Sequence, residues 1–220
     1  MKLETFKHIS ANLQHEIDNK QIELDKRKPR IVITPPQFKE LFLKIATLII
    51  AKRGISKEFV IDNENKKIIN QLYFYITKNK EFKGDLSKGI LIIGNLGTGK
   101  TLIIKTVIEI ISLLLNIKFK EFHAIALLKY LQEDGEKELL KRPLFIDDLG
   151  KETKSVNNYG TISNPISDLF ALRYEFGGWT FATSNFTLNK GLKSHYGETI
   201  TDRFKEIFNI ITLSGESRRN

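Results

Sequence analysis

The chain has 220 residues, 41% of them hydrophobic and 28% charged, enough for one α/β domain with a sizeable core and a small appendage. It has no cysteine, which excludes disulfides and thiolate metal sites and fits a reducing, cytoplasmic setting. The net charge of +9 is uneven: residues 1–88 carry 18 Lys/Arg against 11 Asp/Glu, and residues 89–220 carry 17 against 15. A basic front half suggests a polyanionic partner, most simply nucleic acid; the alternative is a lysine-rich solvated surface.

Residues 2–25 read as an amphipathic helix, with Leu3, Phe6, Ile9 or Ser10, Leu13 and Ile17 at roughly helical spacing. Charged residues stand where a signal peptide needs an apolar core, and the stretches 45–51 and 110–115 are too short to span a bilayer, so no membrane association is expected. Lys26-Arg27-Lys28-Pro29-Arg30 and Pro35-Pro36 make 26–36 a linker, either a phosphate contact or a solvated tether. A second helix is predicted over 37–52, a short extended piece over 59–62, and a third helix over 64–79 capped by Asp62 or Asn63. These give a helical N-terminal extension over 1–58 and a main domain over 59–220.

The apolar run Gly89-Ile90-Leu91-Ile92-Ile93 then leads into Gly94-Asn95-Leu96-Gly97-Thr98-Gly99-Lys100-Thr101, and helical spacing resumes over 102–115. Strand, glycine-rich loop and helix are the context of a phosphate-binding P-loop. Glycines let the backbone turn its N–H groups toward phosphate oxygens, and the helix adds its positive end. Lys100 brings a cation to the β- and γ-phosphates of ATP, and Thr101 offers a hydroxyl to Mg²⁺.

Beyond the loop, strands are predicted at 118–123, 144–148, 179–185 and 210–213, and helices at 124–132, 166–176 and 199–208. Residues 151–165 read as a polar, flexible connection. Alternating βα units with short apolar strands imply a parallel sheet with helices on both faces and functional groups at the strands' carboxyl ends. Leu144-Phe145-Ile146-Asp147-Asp148 is a buried strand ending in two acids: Asp147 is assigned to the Mg²⁺ shell and Asp148 to the attacking water. Asn185, ending Thr183-Ser184-Asn185, can bond the γ-phosphate and that water. Arg203 and Arg218-Arg219 are cations suited to phosphate; Arg203 reads equally well as a surface residue paired with Asp202 or Glu206. His8, His15, His123 and His195 have no ligand spacing and are taken as structural or surface residues.

The order Gly94 to Thr101, Leu144 to Gly150, Phe181-Ala182-Thr183-Ser184-Asn185, Asp202-Arg203-Phe204 and Gly215-Glu216-Ser217-Arg218-Arg219 resembles the AAA+ ATPases of the DnaC/IstB group, over about residues 60–219. These are bacterial and phage replicative-helicase loaders and transposition helper ATPases. The resemblance implies a five-stranded P-loop NTPase sheet of AAA+ type. It implies ATP hydrolysis, self-association through the ATP site, and engagement of single-stranded DNA and a replicative helicase, or of a transposase in the helper case. It makes Asn185 the sensor 1 residue and Arg203 an arginine finger acting in trans. Arg219 becomes the sensor 2 arginine, with Arg218 as the alternative. Many AAA+ proteins place Glu where Asp148 stands; Asp matches this subgroup. More remote readings are a small-molecule kinase and a module in which ATP only switches shape.

Overall fold

Strand β1 (Gly89–Gly94) has no polar break, the pattern of a strand covered on both faces. Strands β6 (Thr180–Ser184) and β7 (Phe208–Leu213) flank it in parallel. Strand β3 (Leu144–Asp147) pairs in parallel with β6, and β2 (Lys120–His123) with β3. The result is a five-stranded parallel sheet, as the resemblance implies, and its strand order is β2-β3-β6-β1-β7.

Alternate residues of β1 feed two cores, because successive side chains of a strand point to opposite faces. Ile90 and Ile92 join Phe145, Phe181 and the buried faces of α2 (Pro35–Ala51), α3 (Lys66–Ile76) and α4 (Lys100–Leu115). Leu91 and Ile93 join Ile146, Ala182 and the buried faces of α5 (Ala124–Gln132), α7 (Pro165–Phe176) and α8 (Lys193–Ile207). Each such fully buried side chain contributes about 1.5–3 kcal/mol of transfer free energy. The remaining elements are α1 (Lys2–Arg27), the short α6 (Glu136–Leu139), the antiparallel pair β4 (Val156–Asn158) and β5 (Thr161–Ser163), and a π-helical turn at Leu188–Leu192.

The computed structural model describes residues 2–133, 136–154, 156–158 and 161–218. The chain forms two compact units, Met1–Arg30 and Ile31–Asn220. In the first, α1 exposes Phe6, Ile9, Leu13 and Ile17. In the second, α2 packs into the same core as the sheet. No helix among the described residues is long and apolar enough to cross a membrane.

Several elements depart from the sequence expectation for local reasons. Helix α1 runs on through Arg27, into the expected 26–36 linker. Pro35-Pro36 open α2: Thr34 Oγ1 accepts from the Gln37 N–H while the Gln37 side chain accepts from the Thr34 N–H at 3.0 Å. The prolines sit in the first turn, where no N–H is needed, so they start a helix rather than extend a linker. The expected flexible connection carries the β4–β5 hairpin. Helix α8 begins at Lys193 and is interrupted by Gly197 (φ 82°, ψ 173°), and Phe208 belongs to β7 rather than to the helix. Sequence reading gave Arg173 no role, yet it is fully buried. Its guanidinium donates to the carbonyls of Leu139, Arg142 (3.0 Å) and Trp179 (2.9 Å) and to Thr180 Oγ1, and burial pushes it down to about 9.

Candidate functional site

The chain leaves β1 over one face through α4 and leaves β6 over the other through α8. The two crossovers diverge at the carboxyl ends of these neighbouring strands, where α/β sheets open a crevice. The loop of residues 94–99 fills that point, and α4 begins at Lys100, so its N-terminal N–H groups face the crevice. Gly97 (φ 83°) and Gly99 (φ 97°) hold left-handed backbone that glycine adopts without strain. A Cβ on Gly97 would lie 3.1 Å from Ser217 Cα, so the segment after β7 lies directly on the loop. The Arg218 N–H donates to Gly97 O at 3.0 Å. Thr98 is buried and its hydroxyl donates to Asn95 O, which stiffens the turn, while Leu96 is exposed at the cavity edge.

Lys100 is 4% exposed, and its ammonium donates to Gly94 O (2.9 Å), Asn95 O (2.7 Å) and Asn185 Oδ1 (2.8 Å). The Thr101 hydroxyl donates to Asp147 Oδ1 at 2.7 Å, and the Thr183 hydroxyl donates to the same oxygen at 2.6 Å. Thr183 Oγ1 also accepts from the Asp148 N–H at 3.0 Å. Asn185 Nδ2 donates to Asp148 Oδ1 at 2.8 Å. The loop, the two acids and the amide at the end of β6 therefore form one continuous polar network. The register explains it: Ile146 stands beside Ala182, and Ile93 beside Ser184, so one further step along each strand brings the chemistry-bearing residues together.

Asp148 is the strained member. Its φ is 57°, in the left-handed region that Asp tolerates better than most residues. Lys151 Nζ lies 2.5 Å and His123 Nε2 3.5 Å from Asp148 Oδ2. Burial pushes its carboxyl up, but the Lys151 hydrogen bond and charge, the His123 charge and the Asn185 amide together hold it below the usual aspartate value. Neither Lys151 nor His123 was selected as a site residue from the sequence. The signal for His123 was positional: it ends the strand adjacent to β3.

Lys100, Thr101, Asp147, Asp148 and Asn185 line one side of a cavity of about 930 Å³. A second wall comes from residues 50–60, where apolar Ile50, Ile55, Phe59 and Val60 alternate with charged Arg53, Lys57 and Glu58, and Ser217 and Arg218 also line the cavity. The sequence reading missed this wall. Arg218 reaches back to Asp62 (2.5 and 3.1 Å) and Glu64 (2.8 Å). Arg219, the expected sensor 2 residue, lies outside the described residues. Arg203 does not line this cavity: it is on α8, with its guanidinium 5.9 Å from the centre of the Tyr174 ring, and Asp202 pairs with Lys205 instead. Among the described residues no group of three or more His, Cys, Asp or Glu could hold a metal on its own. Thr101 and Asp147 supply hard oxygens beside the loop, a set that fits Mg²⁺ taking its other ligands from phosphate and water.

Comparison with solved structures places the fold. The DnaC helicase loader matches at 22% identity and TM-score 0.52, covering 70% of this chain and 93% of that one. DnaI matches at 22% identity and TM-score 0.56, covering 73% and 87%. The replication initiator DnaA bound to AMPPCP and single-stranded DNA matches at 15% identity and TM-score 0.53, covering 72% and 49%. No protein-family model and no curated protein matches the sequence. The chain thus has the α/β P-loop fold of these replication proteins.

Proposed function

We propose that the chain is an ATP-hydrolysing DNA-replication assembly factor of helicase-loader type, working in the cytoplasm. The observation that carries this reading is the bonded set Lys100, Thr101, Asp147, Asp148 and Asn185 along one wall of a nucleotide-sized cavity. The loop N–H groups and Lys100 bind the β- and γ-phosphates. Thr101 and Asp147 hold Mg²⁺, which neutralises phosphate charge when bound. Asp148, kept ionised by Lys151 and His123, accepts the proton of the attacking water. The water oxygen bonds the γ-phosphorus as the bond to the ADP oxygen breaks. Asn185 orients that water, and the apolar wall takes the base. Arg203, remote from its own cavity, serves the site of a neighbouring copy in an oligomer, and Arg219 serves its own site as sensor 2. The apolar stripe of α1 and the basic run 26–30, within the extension 1–58, dock a replicative helicase. The basic surface engages single-stranded DNA.

The test is ATP turnover by the full chain with and without single-stranded DNA, together with co-purification against a replicative helicase. DNA-stimulated turnover and helicase capture are expected. Turnover that requires a small phosphate acceptor overturns the reading, as does capture of a transposase in place of the helicase. Complementation tests the trans role: Arg203→Ala and Lys100→Ala chains, each inactive alone, should regain activity when mixed. Inactive mixtures assign Arg203 another role.

A further inference from the structure

We propose, resting on the nucleotide reading of the cavity, that Glu152 is a positioning residue: its carboxylate, held by α8, fixes the turn that presents Asp148 to the attacking water.

Asp148 needs such support. A non-glycine residue at positive φ persists only where its surroundings over-determine it, and Asp148 stands at φ 57°. Each main-chain N–H of residues 148–151 has an acceptor. The Asp148 N–H donates to Thr183 Oγ1 at 3.0 Å and the Leu149 N–H to Thr183 O at 2.8 Å, both on β6. Ser184 Oγ donates to Leu149 O at 2.6 Å from the same strand. The Lys151 N–H closes the turn on Asp148 O at 3.1 Å. Of the four, the Gly150 N–H is the one that relies on a side chain outside the sheet: it donates to Glu152 Oε2 at 2.9 Å. Gly150 is buried, so an unpaired N–H there would be costly.

Glu152 is seated from the other side of the turn. Its side chain is 1% exposed, and among the described residues no lysine or arginine pairs with it. A buried carboxylate without such a cation is expensive unless other donors meet its oxygens. Two groups in the first turn of α8 do so. The Tyr196 hydroxyl donates to Oε1, and His195 Nε2 lies 3.2 Å from the same oxygen. Burial, and then the Glu152 charge, push the Tyr196 hydroxyl up, so it remains a donor. The Tyr196 ring packs edge-on against Phe204, with 5.5 Å between centroids, inside the core that α8 shares with the sheet. One oxygen of Glu152 thus holds the Asp148 turn while the other is tied to a helix anchored in the core. The orientation of Asp148 depends on α8 as well as on β6.

The experiment measures kcat and, by equilibrium binding, ATPγS affinity of the full chain, with thermal melting as the check of folding. Glu152→Met keeps the length of the side chain and removes both acceptors. It should lower kcat about 10- to 100-fold while ATPγS affinity stays close to wild type. Glu152→Gln keeps a carbonyl for the Gly150 N–H and should recover most of that loss. Tyr196→Phe keeps the ring against Phe204 and removes one donor. It should lower kcat about two- to fivefold, again without loss of affinity, and it decides the matter if Glu152→Met does not melt cooperatively. A fall in kcat matched by a fall in affinity, an unchanged kcat in these variants, or a Glu152→Gln chain as slow as Glu152→Met overturns this inference alone. A wild-type chain that hydrolyses no ATP overturns it together with the reading it rests on.

Discussion

The two walls of the cavity recognise different things by different means. The phosphate wall acts through polar groups: Lys100, Thr101, Asp147, Asp148 and Asn185 each hold a hydrogen-bonded partner in one network, which the buried Thr183 completes from behind. The second wall, from the end of α2 to Val60, offers apolar surface in Ile50, Ile55, Phe59 and Val60, rimmed by the charged Arg53, Lys57 and Glu58. The first wall acts through charge and direction, which fail sharply when one group is moved. The second acts through contact area, which fails gradually.

That contrast orders the effects of mutation. Asp148→Asn should lower kcat by about two to four powers of ten, with ATP affinity nearly unchanged. A parallel loss of affinity in equilibrium binding would show that Asp148 shapes the phosphate wall instead of acting on water. Lys100→Ala should weaken ATP binding about 100-fold while the chain still melts cooperatively. Near-normal ATPase activity would remove the phosphate wall from its assigned role. Ile55→Ser, on the half-exposed side of the apolar wall, should weaken ATP binding only about three- to tenfold. Competition by inorganic tripolyphosphate should be untouched by that change. If tripolyphosphate is affected equally, the two walls are not separate in function.

The smallest effect concerns pH. Arg218 beside Asp62 holds its carboxyl down at about 2; burial opposes this, and the Asn65 and Glu64 N–H groups assist. The unfolded chain has the ordinary, higher value. The contribution is therefore present above about pH 4 and is lost as pH falls toward 2. Arg218 stays charged across this window, and Glu64 is the other acid on the same guanidinium. Because these groups meet solvent, the contribution is at most about 1 kcal/mol. Acid unfolding of Asp62→Asn, followed by circular dichroism, should lack that increment between pH 4 and 2.

The phosphate wall was legible in the sequence because its residues end consecutive apolar runs, and parallel pairing brings such ends together without any further information. Asp147 beside Thr101 follows from that rule. Two partners of Asp148 were not legible: Lys151 reaches it through a turn, and His123 through the lateral order of β2 and β3, which no spacing reports. The apolar wall was hidden for another reason. Ile50, Ile55 and Phe59 carry no motif, and only the folded chain brings the end of α2 and the stretch after it beside the loop. Pro35-Pro36 misled because proline marks both ends of helices, and the Thr34–Gln37 pair decided which end it was. Arg173 was silent because its partners are three main-chain carbonyls, which every residue has, and one threonine hydroxyl, with no acid to pair it.

The left-handed backbone at position 148 edits the alphabet available there. At that φ, glycine costs nothing, Asn and Asp cost little, and a longer or β-branched side chain costs about 1–2 kcal/mol. Of the three tolerated letters, only one can carry a negative charge. The main chain therefore favours aspartate over glutamate at this position. Exchanging the two acids would alter the conformation of the turn as well as the reach of the carboxylate.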